Sequence, residues 1–483
     1  MIKVYTNRIN YQYDLHALIK AFYPEHDVRT IDIAQYSAEE NDCGNEVRAE
    51  FYDFRLELYI RIDAEGKSYS ACFNSNMTQV SKKWHKLTLY EKLCDYTGRT
   101  LPWGNLTGVR PTKLAMGMLA EGADDDSAVE WLKKEHAVSD EKARLSVDIA
   151  RREMQILDTV NCRDGYSLYI GIPFCPTTCL YCSFTSYPIA AWKQKINEYL
   201  NALFKEIDFI SEIYKGKPLD AVYVGGGTPT TLEADELARL FEKIRESFSF
   251  SDVREFTVEA GRADSITREK LEVMKKYGVT RISINPQTMK EETLRLIGRR
   301  HTVLQVKEAF AMARSVGFDN INMDMILGLP NELEADVENT IHEIEMLNPD
   351  SLTVHSLAIK RASRLSQWIE ENGISMLINT DNTMRIAREG AERLGMKPYY
   401  LYRQKNMSGN FENVGYAREG KYGIYNILIM EEKQTIVALG AGSISKRVYP
   451  DGRIERSENV KEVAQYIERI DEMIERKRVL FSD

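Results

Sequence analysis

SLYIGIPFCPTTCLYCSF, residues 167–184, begins as an almost unbroken apolar run and ends on three cysteines spaced C-x3-C-x2-C. A run apolar at successive positions reads as a strand buried on both faces. The same kind of run recurs as AVYVGGG (221–227), REFTVEA (254–260), RISINPQ (281–287), NINMDMILGL (320–329) and DSLTVHSLAI (350–359), each followed by a helical pattern. In the first of those helices Ile196, Leu200, Leu203, Ile207 and Ile210 form the buried stripe. Alternating strands and helices predict a parallel sheet with right-handed crossovers. Six units are fewer than the eight of a closed barrel, so the fold expected is α/β, an open or partial (β/α)6 barrel. Its chemistry belongs at the C-terminal ends of the strands.

Outward from this array the pattern changes on both sides. Residues 1–160 read as an N-terminal α+β domain. Short runs (IKVYT, DVRTIDIA, EVRAEFYD, LELYIRID, KSYSACF) predict a small antiparallel sheet, closed by LPWGNLTGVRPTKL (101–114) and followed by helices over about 126–136 and 139–158. The barrel takes 161–360. Residues 361–483 read as a C-terminal subdomain with helices over 361–373 and 380–394, strand-like YYLYRQ, GIYNILIME and QTIVALGAG, and a charged final helix.

The 483-residue chain is 43% hydrophobic and 28% charged, a soluble globular composition large enough for two or three domains. A formal charge of -9 argues against nucleic-acid binding through bulk positive charge. No apolar run reaches the roughly 18 to 20 residues of a membrane span. The N-terminus has no basic and apolar leader pattern, so a cytoplasmic location is expected. Cys43, Cys72, Cys94 and Cys162 are scattered and read as small buried hydrophobes, which is no disulfide framework.

Cys175, Cys179 and Cys182 stand apart by their spacing on a loop after a strand. Structural zinc needs four ligands and would have to recruit a distant one. A [4Fe–4S] cluster held by three thiolates leaves one iron open to an external ligand. The amine and carboxylate of S-adenosylmethionine (SAM) suit that iron, and one electron delivered there cleaves the sulfonium to a carbon radical. Glycines at the next strand end, Gly226 and Gly227 before Thr228, allow close backbone approach to a ligand or simply make a tight turn. Asp324 is a charge inside an apolar strand, costly unless paired or facing a pocket. Arg299 reads equally as a pocket cation or a solvated helix residue.

C-x3-C-x2-C with Tyr181 before the third cysteine resembles the motif of radical SAM enzymes. Residues 165–360 resemble the oxygen-independent coproporphyrinogen III oxidase family and its haem-chaperone relatives through GVTRISINPQT, IGRRHT, NINMDMILGLP and LNPDSLTVHSLA. WGNLTGVRPTK, YLYRQKNMSGN, ENVGYAREG, GIYNILIMEE and ALGAGSISK extend the likeness, over nearly the whole chain, to the HemZ-type coproporphyrinogen dehydrogenases of that family. The resemblance implies a radical SAM barrel with a [4Fe–4S] cluster on the three cysteines. It implies Gly226, Gly227 and Thr228 at the SAM amine, Glu259 at the methionine end and Arg299 on the carboxylate. Gln287 and Asp324 then hold the ribose, with Tyr181 and Ala358 near the adenine. The implied reaction is oxidative decarboxylation of two propionates of coproporphyrinogen III to the vinyls of protoporphyrinogen IX, in haem biosynthesis. The implied electron source is a low-potential donor such as flavodoxin or ferredoxin. Lys360, Arg361, Arg403 and Lys405 are candidate cations for this tetracarboxylate tetrapyrrole.

The oxidase motif continues to a fourth cysteine two places after the third, where this chain has Phe184. The alternative is therefore a haem-binding chaperone or trafficking protein that retains SAM cleavage, with His355 as either a haem ligand or a hydrogen-bonded pocket histidine. The N-terminal domain reads as a structural element or as an interaction module that docks a partner through WGNLTGVRPTK.

Overall fold

The structure is a computed structural model that describes residues 1–35, 45–52, 55–62, 67–74, 81–108, 110–184, 186–360, 363–404 and 411–482, with backbone alone for 67–74. The chain forms two compact units, Met1–Asp148 with Tyr402–Glu412, and Ile149–Leu401 with Asn413–Asp483.

The first unit contains a five-stranded sheet of β1 (Ile2–Thr6), β2 (Val28–Asp32), β3 (Asn45–Tyr52), β4 (Arg55–Ile62) and β5 (Lys67–Asn74), in the order β2-β1-β3-β4-β5. The sheet is mixed rather than antiparallel as expected, because β1 runs parallel to both β2 and β3. The helix Gln12–Phe22 supplies the crossover that parallel pairing needs. In β3 and β4 buried and half-buried residues alternate, the period of a sheet covered on one face. Val47, Phe51, Leu56, Leu58 and Ile60 meet Leu15, Leu18, Phe22 and Leu89, from that helix and from Lys82–Thr97.

The second unit is built on an eleven-stranded sheet. Its six central strands are β6 (Tyr166–Ile172), β7 (Leu219–Gly226), β8 (Glu255–Gly261), β9 (Arg281–Ile284), β10 (Ile321–Leu327) and β11 (Ser351–Ser356). They lie side by side in chain order, all parallel. Nearly every residue of β6, β8 and β10 is buried, as the apolar runs require. Helices Ile196–Ile213, Ala234–Ser247, Arg268–Lys276, Val303–Val316 and Glu334–Leu347 connect successive strands. Their boundaries are local chemistry: Thr302 accepts from the Gln305 amide while the Gln305 side chain accepts from the Thr302 amide, and Gly317 ends the helix in the left-handed region. This is the partial (β/α)6 barrel.

The strands of 361–483 extend the same sheet. β12 (Lys397–Tyr402) and β13 (Asn413–Ala417) continue it beyond β11, and β14 (Thr435–Leu439), β15 (Ile444–Val448) and β16 (Ile454–Glu458) continue it beyond β6. GIYNILIME, expected as a strand, is a helix at Ile424–Glu431. Its opening amides, Ile424 and Tyr425, donate to the Glu255 carboxylate at 2.5 and 3.4 Å. A carboxylate brought from β8 serves as the cap that the local sequence lacks. Among the described residues no helix is long and apolar enough to cross a membrane.

Candidate radical SAM site

The cysteine loop leaves β6 at its C-terminal end. Phe174–Cys175 pairs in parallel with Tyr187–Pro188, so the segment bearing all three cysteines returns on itself. Cys179 is buried, while Cys175 and Cys182 are half-buried. Burial pushes the Cys175 and Cys182 thiols up, against ionisation, and the other cysteine sulfurs add to the effect. Thiols so placed need a cationic partner to be held as thiolates. Among the described residues no three His, Cys, Asp or Glu side chains close on one metal ion.

The end of β7 lies flat against this loop. The Gly227 amide donates to the Ile172 carbonyl at 2.9 Å and the Thr228 amide to Phe174 at 2.7 Å. The Thr228 hydroxyl lies 3.5 Å from the Cys175 sulfur. A Cβ on Gly227 would stand 2.5 Å from the Phe174 carbonyl and 3.0 Å from that sulfur. Gly226 has φ +111°, closed to ordinary side chains. The glycines are thus required by close backbone approach, not by a turn alone.

Glu259 and Asp324 end up in opposite ionisation regimes. Burial pushes the Glu259 carboxyl up to about 7, with the Asp324 charge adding to it against the hydrogen bond from Tyr223. That phenol donates to Oε1 at 2.5 Å. Burial also raises Asp324, but His355, Asn322 and Thr353 outweigh it and hold the carboxyl below its ordinary range. Asn322 Nδ2 donates to Asp324 Oδ1 at 2.7 Å, and His355 Nε2 lies 3.7 Å from Oδ2. A neutral acid beside a charged one is the usual way two carboxyls share a pocket.

Gln287 adopts φ +68°, rare for a residue with a side chain, at the point where its amide and carbonyl bridge to Asp324 and Ile326. Its Oε1 is buried with no partner among the described residues. Arg299 is buried; it donates to the Asn285 carbonyl at 2.5 Å and to the Tyr181 hydroxyl at 3.3 Å, and its Nε has no partner among the described residues. Such orphaned polar atoms suit a polar ligand. Tyr181 packs against the cluster of Ile297, Ile326, Leu357 and Leu365, together with Ile359, so half-buried Ala358 stands between two residues of the same apolar wall.

Of the candidate substrate cations, Lys360 holds its ammonium 5.6 Å from the Phe184 ring, and Phe184 is 70% exposed. Arg403 is a correction. It belongs to the first unit, where it is buried, donates to the Leu106 carbonyl at 2.7 Å and stacks on Trp103, so it is a packed residue rather than an open cation. Arg361 and Lys405 lie outside the described residues, as does the Cys43 position. His355 is engaged by Asp324. Sequence reasoning missed the stack of Tyr223 on Tyr425, centroids 4.5 Å apart, with Tyr169 6.2 Å from each. A tyrosine inside AVYVGGG was the available signal, since a buried phenol needs an acceptor.

A model of the radical SAM superfamily matches residues 169–344. The oxygen-independent coproporphyrinogen-III oxidase-like protein HemZ of Bacillus subtilis (strain 168) is 43% identical over 387 residues, 79% of this chain and 77% of the relative. The chain belongs to this HemZ-type family of radical SAM proteins. The heme chaperone HemW of the same organism is 40% identical over 197 residues, 40% of this chain and 51% of HemW. The Escherichia coli (strain K12) oxygen-independent coproporphyrinogen III oxidase is 31% identical over 192 residues, 40% of this chain and 42% of the oxidase. Among solved structures, the coproporphyrinogen III oxidase HemN of Escherichia coli has a TM-score of 0.52 at 23% identity, over 66% of this chain and 72% of HemN, and shares the fold. As a HemZ-type radical SAM enzyme, the chain uses a [4Fe–4S] cluster and SAM.

Proposed function

We propose that Cys175, Cys179 and Cys182 hold the cluster and that the chain decarboxylates coproporphyrinogen III oxidatively to protoporphyrinogen IX. The observation that supports this most is the close seat of Gly226, Gly227 and Thr228 on the cysteine strand, with Glu259 and Asp324 within β8 and β10, Gln287 just beyond β9, and Arg299 on the segment that follows, bonded to Tyr181 of the cysteine loop. When bound, the cluster and SAM supply a carbon radical able to take a hydrogen atom from a propionate side chain. The chain's own groups have separate tasks. Arg299 pairs with the SAM carboxylate, as its unpartnered Nε allows. Gly226 to Thr228 present backbone and hydroxyl to the amine, with the Glu259 carboxyl beside them. Asp324, kept ionised by its neighbours, accepts from the ribose hydroxyls, and the free Gln287 Oε1 accepts beside it. Tyr181 and Ala358 border the adenine. Lys360 offers a cation to a substrate carboxylate at the edge of the cysteine loop, and a low-potential flavodoxin or ferredoxin supplies the electron.

The exposed Phe184 supports a second reading, haem handling coupled to SAM cleavage. One experiment separates the two. The protein is reconstituted anaerobically with iron and sulfide, then given dithionite, SAM and coproporphyrinogen III. Protoporphyrinogen IX and 5′-deoxyadenosine should form together. Deoxyadenosine without tetrapyrrole product, accompanied by stoichiometric haem binding, overturns the decarboxylation reading. Cys175→Ala should lose its iron in the same preparation.

A further inference from the structure

Between β8 and the helix Arg268–Lys276 lies RADS, residues 262–265, a stretch with no role in the site as described above. Arg262 is 3% exposed, an unusual state for an arginine on a loop. Its guanidinium forks onto Asp264, Nε to Oδ1 at 3.0 Å and Nη2 to Oδ2 at 2.6 Å. The remaining nitrogen, Nη1, points at the cysteine loop, donating to the Thr177 hydroxyl at 2.6 Å and the Thr177 carbonyl at 3.2 Å. Thr177 lies midway between Cys175 and Cys179, and its hydroxyl donates in turn to the Gly298 carbonyl at 2.8 Å. On the far side of Asp264 the buried His301 ring lies 3.6 Å from Oδ1. Burial alone would raise the Asp264 pKa, but His301 and Arg262 outweigh it and hold the carboxyl charged.

An isolated buried arginine is costly, and its pairing with Asp264 removes most of that cost without involving the cysteine loop. The two further bonds to Thr177 are therefore directed. They fix the middle of a five-residue ligand span whose ends must both meet one cluster. Gly298 directly precedes Arg299, so the Thr177 hydroxyl bond also ties the loop to the segment bearing that arginine.

We propose that Arg262 and Asp264 are positioning residues that hold the Cys175–Cys179 loop in its cluster-binding form through Thr177, and tie it to the Arg299 segment. The proposal rests on the reading that these cysteines are the cluster ligands. Groups behind metal ligands typically change affinity by about 10- to 100-fold when removed. In reconstituted full-length protein, Arg262→Met and Asp264→Asn should release iron to a ferrous chelator about tenfold faster than the parent. They should also change the EPR signal of the reduced cluster and its response to added SAM. Arg262→Lys should not rescue, because an ammonium cannot serve the Asp264 fork and Thr177 together. Thr177→Val should lose iron faster while Thr177→Ser behaves as the parent; this pair isolates the hydroxyl should the charge variants fail to fold. Equal release rates and unchanged spectra for Thr177→Val and Thr177→Ser, or for Arg262→Met and the parent, overturn the clamp. Full iron retention by Cys175→Ala would instead overturn the ligand assignment, so the two failures are distinguishable.

Discussion

Glu259 is a carboxyl held near neutrality by its surroundings, and this gives the unliganded protein a pH dependence of known sign. Its folded pKa is about 7 against an ordinary value of 4.5. Between those values the folded state keeps a proton that the unfolded state has lost, so stability falls as pH rises through this window and the full penalty is present above about pH 7. The shift corresponds to at most about 3 kcal/mol, and less for a side chain that is only half-buried. Glu259→Gln removes the titration while leaving an acceptor for the Tyr223 hydroxyl. Cluster-free Glu259→Gln should therefore unfold at higher urea than the parent at pH 8, with the difference shrinking as pH falls and nearly gone at pH 4, below the unfolded pKa. Equal midpoints at both values would mean that Glu259 is ionised without penalty. Glu259 and Asp324 stand out in the sequence as charges inside apolar runs, and Gln287 as a polar residue closing one, whereas Arg299 carries no such mark. Arg262, Asp264 and His301 carry none either, since an arginine and an aspartate two residues apart on a loop look like any solvated pair until burial is known.

At the scale of elements, the six-strand array was legible because a strand buried on both faces leaves an apolar run that a striped helix does not. Ile424–Glu431 was misread for the same reason: its residues are apolar nearly all round and its cap comes from Glu255, 169 residues earlier in the chain. The final helix, Ile470–Phe481, looked merely charged, yet Lys477 is wholly buried. Its ammonium lies 2.6 Å from the equally buried Glu206 and 2.7 Å from Asn459 Oδ1. Glu206 also accepts from the Tyr466 hydroxyl, the Gly440 amide and Asn459 Nδ2. One carboxylate thus joins the helix Ile196–Ile213, the C-terminal helices and the turn after β14. Lys477→Met leaves a buried carboxylate without its counter-charge, and loss of about 3 kcal/mol is expected, at the low end of the range because three neutral donors remain. Urea denaturation followed by circular dichroism would measure it. Adding Glu206→Gln should recover part of the loss; if the double variant is no more stable than Lys477→Met, the pair is not the source of the cost.

The whole molecule divides in a way no linear reading of the chain conveys, because the first unit is completed by residues 402–412. The sequence placed boundaries at changes of pattern, and a short segment that leaves one unit to complete another makes no such change. Within the first unit the segment makes specific bonds: Glu412 is buried, accepting from Trp103 Nε1 at 2.7 Å and from Lys142 Nζ at 2.8 Å. Lys142 is itself buried, and although burial works against its charge, Glu412 outweighs that and keeps the ammonium protonated. A fragment of residues 1–148 consequently retains Lys142 and Trp103 without their shared acceptor. Lys142 then keeps only the half-exposed Glu141 carboxylate, 3.3 Å away, so the cost is below the about 3 to 5 kcal/mol of a wholly uncompensated buried charge. The fragment should unfold at lower urea than a version in which residues 402–412 are joined to its C-terminus by a flexible glycine-serine linker. In the linked form Glu412→Gln should cancel most of the gain, and in the bare fragment Lys142→Met should restore part of the stability by removing a buried charge that has lost its buried partner. A bare fragment as stable as the linked form would show that the segment rests on the unit without completing it.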